Sequence, residues 1–273
     1  YFWDNTSNTD LTQQGSGYVN MNYALLNLST GIGTPAPRFG TTGKTPNGIV
    51  KPGQGFIMRA AESGGSLTFK NTHRTTLTKP SGGIDGVYYK AEEATTDKFW
   101  LTLTTPNQMN VVIALAYNPD AENSFERFDS MIFSEAVTEN FYSLSSDERK
   151  LAIQSRKGDF NTEDKIPLGI KSSETGLQKI SIESKYGAFE NQPIYLKDKL
   201  LNTLTNLSDT PYEFTTVMGV DDNRFEIVYK PGTVLATDEG IKDQIVVYRN
   251  ANDFIVKSKH SRIDEVEVYD VSG

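Results

Sequence analysis

The feature that most constrains the fold of this chain is a two-residue alternation of apolar and polar side chains recurring along most of its length. Phe99, Leu101 and Leu103 alternate with Trp100, Thr102 and Thr104; Ile180 and Ile182 alternate with Lys179, Ser181 and Glu183. Tyr212 and Phe214 precede Gly219 and the run Asp221-Asp222-Asn223, after which Phe225, Ile227 and Tyr229 resume the pattern. Successive side chains of a strand point to opposite faces, so each stretch reads as a strand with one face buried. The last two read as a hairpin whose loop is the Gly/Asp/Asn cluster. Further strands are predicted over residues 245–248, 254–257 and 266–271. Helical signals are confined to residues 146–150, where Ser146 and Asp147 suit a cap, and to residues 198–202, a brief helical or irregular crossing.

This pattern predicts an all-β chain of tandem β-sandwich modules. Polar punctuation near Asp147 to Lys150 divides it into a module over residues 1–147 and a second over 148–230. Residues 231–244 carry Pro, Gly and charges without apolar periodicity and read as a linker. Residues 245–273 are too few to fold alone and read as the beginning of a third β-module. No tandem repeat of fixed period is visible.

Composition narrows the chemistry. The 35 acidic and 27 basic residues leave a net charge of −8, which argues against duplex DNA or an anionic membrane as partner. Cysteine is absent, excluding thiolate metal sites, thiol nucleophiles and disulfides, and two histidines, His73 and His260, cannot build a multi-histidine centre. No apolar run is long enough to form a membrane-spanning helix. The aromatic opening Tyr1-Phe2-Trp3 and the closing β-rich run Val268 to Gly273 are expected of a fragment of a longer secreted protein.

Individual motifs read mostly as structure. Gly43-Lys44-Thr45 has the tail of a phosphate-binding loop, but Arg38 stands where that loop needs its first glycine, and no strand-to-helix pattern surrounds it. Gly31-Ile32-Gly33 lacks a third spaced glycine and reads as a turn. No Gly-x-Ser-x-Gly elbow is present, and both histidines sit in polar surface settings. Acids adjoin at Glu92-Glu93, Asp120 with Glu122, and Asp264-Glu265. Asp221 and Asp222 are weak calcium candidates, since Asp also serves a tight turn. Tyr1, Phe2, Trp3, Tyr88, Tyr89 and Trp100 suit either a sugar-stacking platform or core packing. Asn5, Asn27 and Asn206 each begin an N-glycosylation triplet, which has meaning only in a eukaryotic secretory setting. No constellation adds up to an active site, and no cofactor is implied.

Several stretches carry a resemblance. Lys51-Pro52-Gly53-Gln54-Gly55-Phe56-Ile57 and Lys98-Phe99-Trp100-Leu101-Thr102-Leu103 are followed by Lys150-Leu151-Ala152-Ile153-Gln154 and Ile166-Pro167-Leu168-Gly169-Ile170-Lys171. Then come Ile194-Tyr195-Leu196-Lys197-Asp198, Pro211-Tyr212-Glu213-Phe214-Thr215 and Asn223-Arg224-Phe225-Glu226-Ile227. In this order they resemble the C-terminal region shared by large surface and secreted proteins of Bacteroidetes. Ile245-Val246-Val247-Tyr248-Arg249-Asn250 and Val266-Glu267-Val268-Tyr269-Asp270-Val271-Ser272-Gly273 resemble the start of a type A C-terminal sorting domain, which implies a partial immunoglobulin-like β-sandwich over residues 245–273.

The resemblance implies a non-catalytic part of a cell-surface protein, adhesin or gliding-motility related, exported across the outer membrane by the type IX secretion system. The implied partners are the type IX translocon, an outer-membrane shuttle β-barrel and a sortase-like attachment complex. Tyr248, Val266, Val268, Tyr269, Asp270 and Gly273 are the implied partner contacts, although the apolar ones also suit packing inside the module. The alternatives are a polysaccharide-binding module and an accessory region of a secreted hydrolase.

Overall fold

In the computed structural model the alternating stretches become strands, and among the described residues twelve of them join one sheet. The structure describes residues 1–4, 23–50, 54–59, 64, 66, 68–74, 97–135, 138–231, 245–250, 253–258, 262–263 and 265–267. A small N-terminal sheet comes first, made of β1 (Phe2–Trp3), β2 (Tyr23–Leu26) and β3 (Gly33–Thr34). The large sheet begins with β4 (Arg38–Phe39), β5 (Lys98–Thr104), β6 (Met109–Asn118) and β7 (Ser130–Met131). It continues with β8 (Asn140–Leu144), β9 (Lys150–Lys157), β10 (Lys165–Ser172) and β11 (Gly176–Tyr186). Its last members are β12 (Tyr195–Asp198), β13 (Thr203–Asn206), β14 (Tyr212–Thr216) and β15 (Gly219–Val228). A hairpin outside that sheet pairs β16 (Ile245–Asn250) with β17 (Asp253–Ser258), and β16 lies close to β13.

Strands lie in the order β13-β12-β15-β10-β8-β9-β6-β5-β11-β14, with β4 beside β6 and β7 beside β9. All the described pairings are antiparallel except β6 with β9. One face of the sheet lines a single core. Phe99, Leu101 and Leu103 of β5 meet Ile166, Leu168 and Ile170 of β10, Tyr212 and Phe214 of β14, and Phe225 and Ile227 of β15 there. The alternation therefore identifies the inward residues correctly. The sheet also curls until its ends touch: Tyr212 of β14 donates a hydrogen bond to Asp198 of β12 at 2.7 Å, and Phe214 packs 4.6 Å from Phe225 of β15.

The described residues cover part of the opposite face. Leu25 and Ile32 of the N-terminal region pack on Ala114, Ala116, Tyr142 and Ala152. With both faces covered, β6 loses its alternation and reads as the continuous apolar run Val111 to Leu115. Asn27 pins this layer, its side-chain amide donating to the Arg127 and Asp129 carbonyls at 3.0 and 2.9 Å. That amide is buried and engaged, so the Asn27 triplet is a structural clamp.

Several local expectations meet a different geometry. The 147/148 boundary lies in the tight turn joining β8 to β9, and both the sheet and its core run across that point. Polar residues mark a turn as readily as a module boundary. Residues 146–149 form that turn and no helix, with Glu148 at φ 62°. β14 and β15 do not pair as a hairpin: β14 adds to β11, while β15 inserts between β10 and β12. Alternation fixes which face a side chain takes but says nothing about which strand lies beside it. Asp221, Asp222 and Asn223 accordingly belong to β15, not to a loop. The 245–248 and 254–257 strands form as expected, but residues 265–267 carry no strand.

Candidate functional site

Asp221 borders a bulge and Asp222 lies in it, since Ile170 pairs with Asp221 and Leu168 with Phe225, leaving residues 222–224 opposite Gly169 alone. Asp221 accepts the Asn223 and Arg224 amides, each at 3.1 Å. Asp222 accepts the Tyr142 hydroxyl at 2.5 Å and faces the Lys150 ammonium at 3.5 Å, which lies 4.9 Å from the Tyr142 ring centre. Burial and the Asp222 contact together push the Tyr142 hydroxyl pKa well above its ordinary value. Gly169 makes this possible: a Cβ there would collide with the Tyr142 ring and lie 2.6 Å from Asp222. Both carboxylates are thus committed to the bulge and its ion pair.

The sorting-domain candidates fall at the other end of the chain. Tyr248 lies on β16, paired with Ile255. Val266 is half exposed, as are Phe254 and, less so, Ile263. Val268, Tyr269, Asp270 and Gly273 lie outside the described residues, as do Tyr88, Tyr89 and His260. His73 is exposed. Tyr1, Phe2 and Trp3 are half-buried: Tyr1 stands edge-on to Phe133 at 5.0 Å, Trp3 edge-on to Tyr23, and Tyr23 stacks on Phe133 at 4.3 Å. Trp100 donates its indole N–H to the Gly33 carbonyl at 2.8 Å, tying β5 to the N-terminal sheet.

A site that the alternation could have revealed lies where the core meets the turns at one end of the sheet. Glu139 stands two residues before Phe141, Ser172 two after Ile170, and Gln178 two before Ile180. Each therefore shares its face with a core residue, and all three are polar and buried. The β10–β11 turn, residues 173–175, closes over them, and Gly176 approaches Pro106 so closely that a Cβ would lie 2.8 Å from it. Gln178 donates to the Ser172 hydroxyl at 2.9 Å, and that hydroxyl donates to the Glu174 carbonyl at 2.9 Å. One Glu139 oxygen accepts the Ser173 amide at 3.0 Å and the Ser173 hydroxyl.

The remaining oxygens are unmatched. Glu139 Oε2, Glu174 Oε1 and Gln178 Oε1 are buried without a hydrogen-bond partner. A buried acceptor left without a donor costs about 1–3 kcal/mol, more when charged. Glu139 also lines a cleft of about 40 Å³ between the N-terminal and large sheets, shared with Tyr23, Leu25, Thr34, Val112 and Asn140. The Thr34 hydroxyl is likewise buried and unpartnered. Among the described residues no three acidic or histidine side chains converge as a metal cluster, and no helix is long and apolar enough to cross a membrane.

Compared with known protein families, residues 1–229 match a family described as a domain of unknown function, DUF8693. The chain belongs to that family. Its matched span crosses the 147/148 turn and stops at Tyr229, the last residue of the inner core among those described. The β16–β17 hairpin lies beyond the matched span. No curated protein and no solved structure matches the chain.

Proposed function

We propose that the chain is a non-catalytic, cell-surface part of a secreted protein, in which a DUF8693 module is followed by the start of a sorting domain read by the type IX secretion system. The observation that carries this reading is the division at Tyr229. Among the described residues the inner core ends there, as does the family match, and the chain then makes a two-stranded sheet of its own, whose β16 lies close to β13. Phe254, Ile263 and Val266 in this later segment are exposed apolar residues that the inner core does not include. A hairpin carrying apolar side chains outside a finished core suits recognition by another β-structure. Residues 1–229 are then one sandwich-like module, with one sheet curled over one core, in place of two modules in tandem. The shuttle barrel, the translocon and the sortase-like complex are the partners this reading requires.

The test is export in a Bacteroidetes host carrying the type IX system. Removing residues 245–273 is expected to retain the protein in the periplasm, while its thermal unfolding stays close to that of the intact chain. Undiminished delivery to the cell surface would overturn the reading. A second reading, polysaccharide binding, is favoured by the half-buried aromatic group Tyr1, Trp3, Tyr23 and Phe133. It requires Trp3→Ala to abolish retention on a surface-glycan affinity column that holds the intact chain.

A further inference from the structure

We propose that Glu139, Glu174 and Gln178 form a calcium-binding site beneath the β10–β11 turn. Three observations converge on it. The unpartnered atoms are all oxygens, two from carboxylates and one from an amide, and all three are acceptors lacking a donor. Glu139 and Gln178 are 2% and 1% exposed; Gln178 shares the inward face of β11 with Ile180, Glu139 lies just before β8, and the two meet the adjacent residues Ser172 and Ser173 through hydrogen bonds. Neither Glu139 nor Glu174 is paired with a lysine or arginine in any ion pair of the described residues.

The chemistry of the donor set selects the ion. Calcium is a hard cation that takes carboxylate, amide and backbone carbonyl oxygens in adaptable geometry. Two carboxylates match its charge, and the amide oxygen of Gln178 completes a side-chain set without nitrogen or sulfur. Magnesium demands a near-ideal octahedron and keeps its water, which suits a buried carboxylate and amide poorly. Glu139 also lines the cleft along Tyr23 and Asn140, which places this carboxylate next to a space between the two sheets. The ion would tie the segment before β8 to the β10–β11 turn, which Glu139 already joins through Ser173. This assignment is independent of the export reading, because the site lies wholly within residues 1–229.

The test is thermal unfolding of the full chain in excess calcium, in excess magnesium and in EDTA, alongside Glu174→Gln and Glu139→Gln. Calcium is expected to raise the midpoint by about 5–10 °C over EDTA, with magnesium giving a small fraction of that. Glu174→Gln changes a turn residue only partly buried, so the variant should fold and lose most of the calcium shift. Glu139→Gln should lose it entirely. An unchanged midpoint in calcium would overturn the proposal, as would an equal response to magnesium. A calcium shift surviving in Glu174→Gln would move the ion away from this turn and overturn it too.

Discussion

Two buried arginine–aspartate pairs stand in different parts of this sheet, built from the same three residue types and set to different work. Asp164 accepts the Arg156 guanidinium through both of its oxygens, at 2.8 and 2.6 Å, and the Tyr117 hydroxyl at 2.9 Å. Asp198 receives two Arg224 nitrogens and the Tyr212 hydroxyl on a single oxygen, at 2.9, 2.8 and 2.7 Å. Its other oxygen takes the Leu200 and Leu201 amides. The Asp164 side chain keeps 20% exposure, whereas that of Asp198 has none. The first pair clips the β9–β10 connection to β6 and β9. The second joins β12, β14 and β15, the strands through which the ends of the sheet meet. Identical chemistry therefore fastens a loop in one place and closes the fold in the other.

Removing the aspartates should separate these roles. Asp198→Ala strands the Arg224 guanidinium beside a position closed to solvent and is expected to cost about 3–5 kcal/mol, measured by urea unfolding. Asp164→Ala removes a carboxylate whose site is partly open to water, which can then solvate Arg156, and should cost clearly less, about 1–3 kcal/mol. Equal losses would break the comparison. Next in size, Gly169→Ala forces the Tyr142 ring away from Asp222, with an expected cost of about 1–3 kcal/mol from overpacking. The smallest effects should come from the tyrosines: Tyr212→Phe about 1.5 kcal/mol and Tyr117→Phe no more, each removing one hydrogen bond to a charged partner.

Acid titration sharpens the same contrast. Burial opposes the charge on both aspartates, but hydrogen bonds from Arg224 and Tyr212 hold Asp198 below the usual carboxylate range, and those from Arg156 and Tyr117 do so for Asp164. A depressed folded-state pKa contributes stability that is present above the unfolded value near 4 and lost as pH falls through the folded one. The midpoint should therefore drop steeply below about pH 4, less so in Asp198→Ala relative to its own value at pH 7. Asp129 behaves oppositely, because burial pushes its carboxyl up to about 7. Its contribution is largest in acid and declines between about pH 4 and 7, so Asp129→Asn should flatten that part of the stability profile.

The sequence shows much of this sheet and little of its connectivity. Period two finds the inward residues of β5, β10, β14 and β15 because burial on one face leaves that signature in any strand. It fails for β6, covered on both faces, and for Asp221 to Asn223, where a bulge resembles a loop in composition. Partner choice is decided by tertiary contact, so the insertion of β15 between β10 and β12 has no local signal. The polar end of the core was within reach. Glu139, Ser172 and Gln178 fall on inward positions when the alternation is extended past Phe141, Ile170 and Ile180. A charged or amide residue on a face reserved for apolar ones marks a site, and no motif search would return it.

The insertion of β15 also sets the timetable of folding. Until residues 219–228 emerge from the ribosome, β10 and β12 have no strand between them, and the Arg224 that fastens the closing ends is missing. A nascent chain can assemble the β5–β6 ladder early, but it carries two raw edges until nearly the whole module has been synthesised. Completion is therefore a late, single event. A ribosome-bound chain halted before residue 219 should be digested readily by protease, and one extended beyond residue 228 should resist.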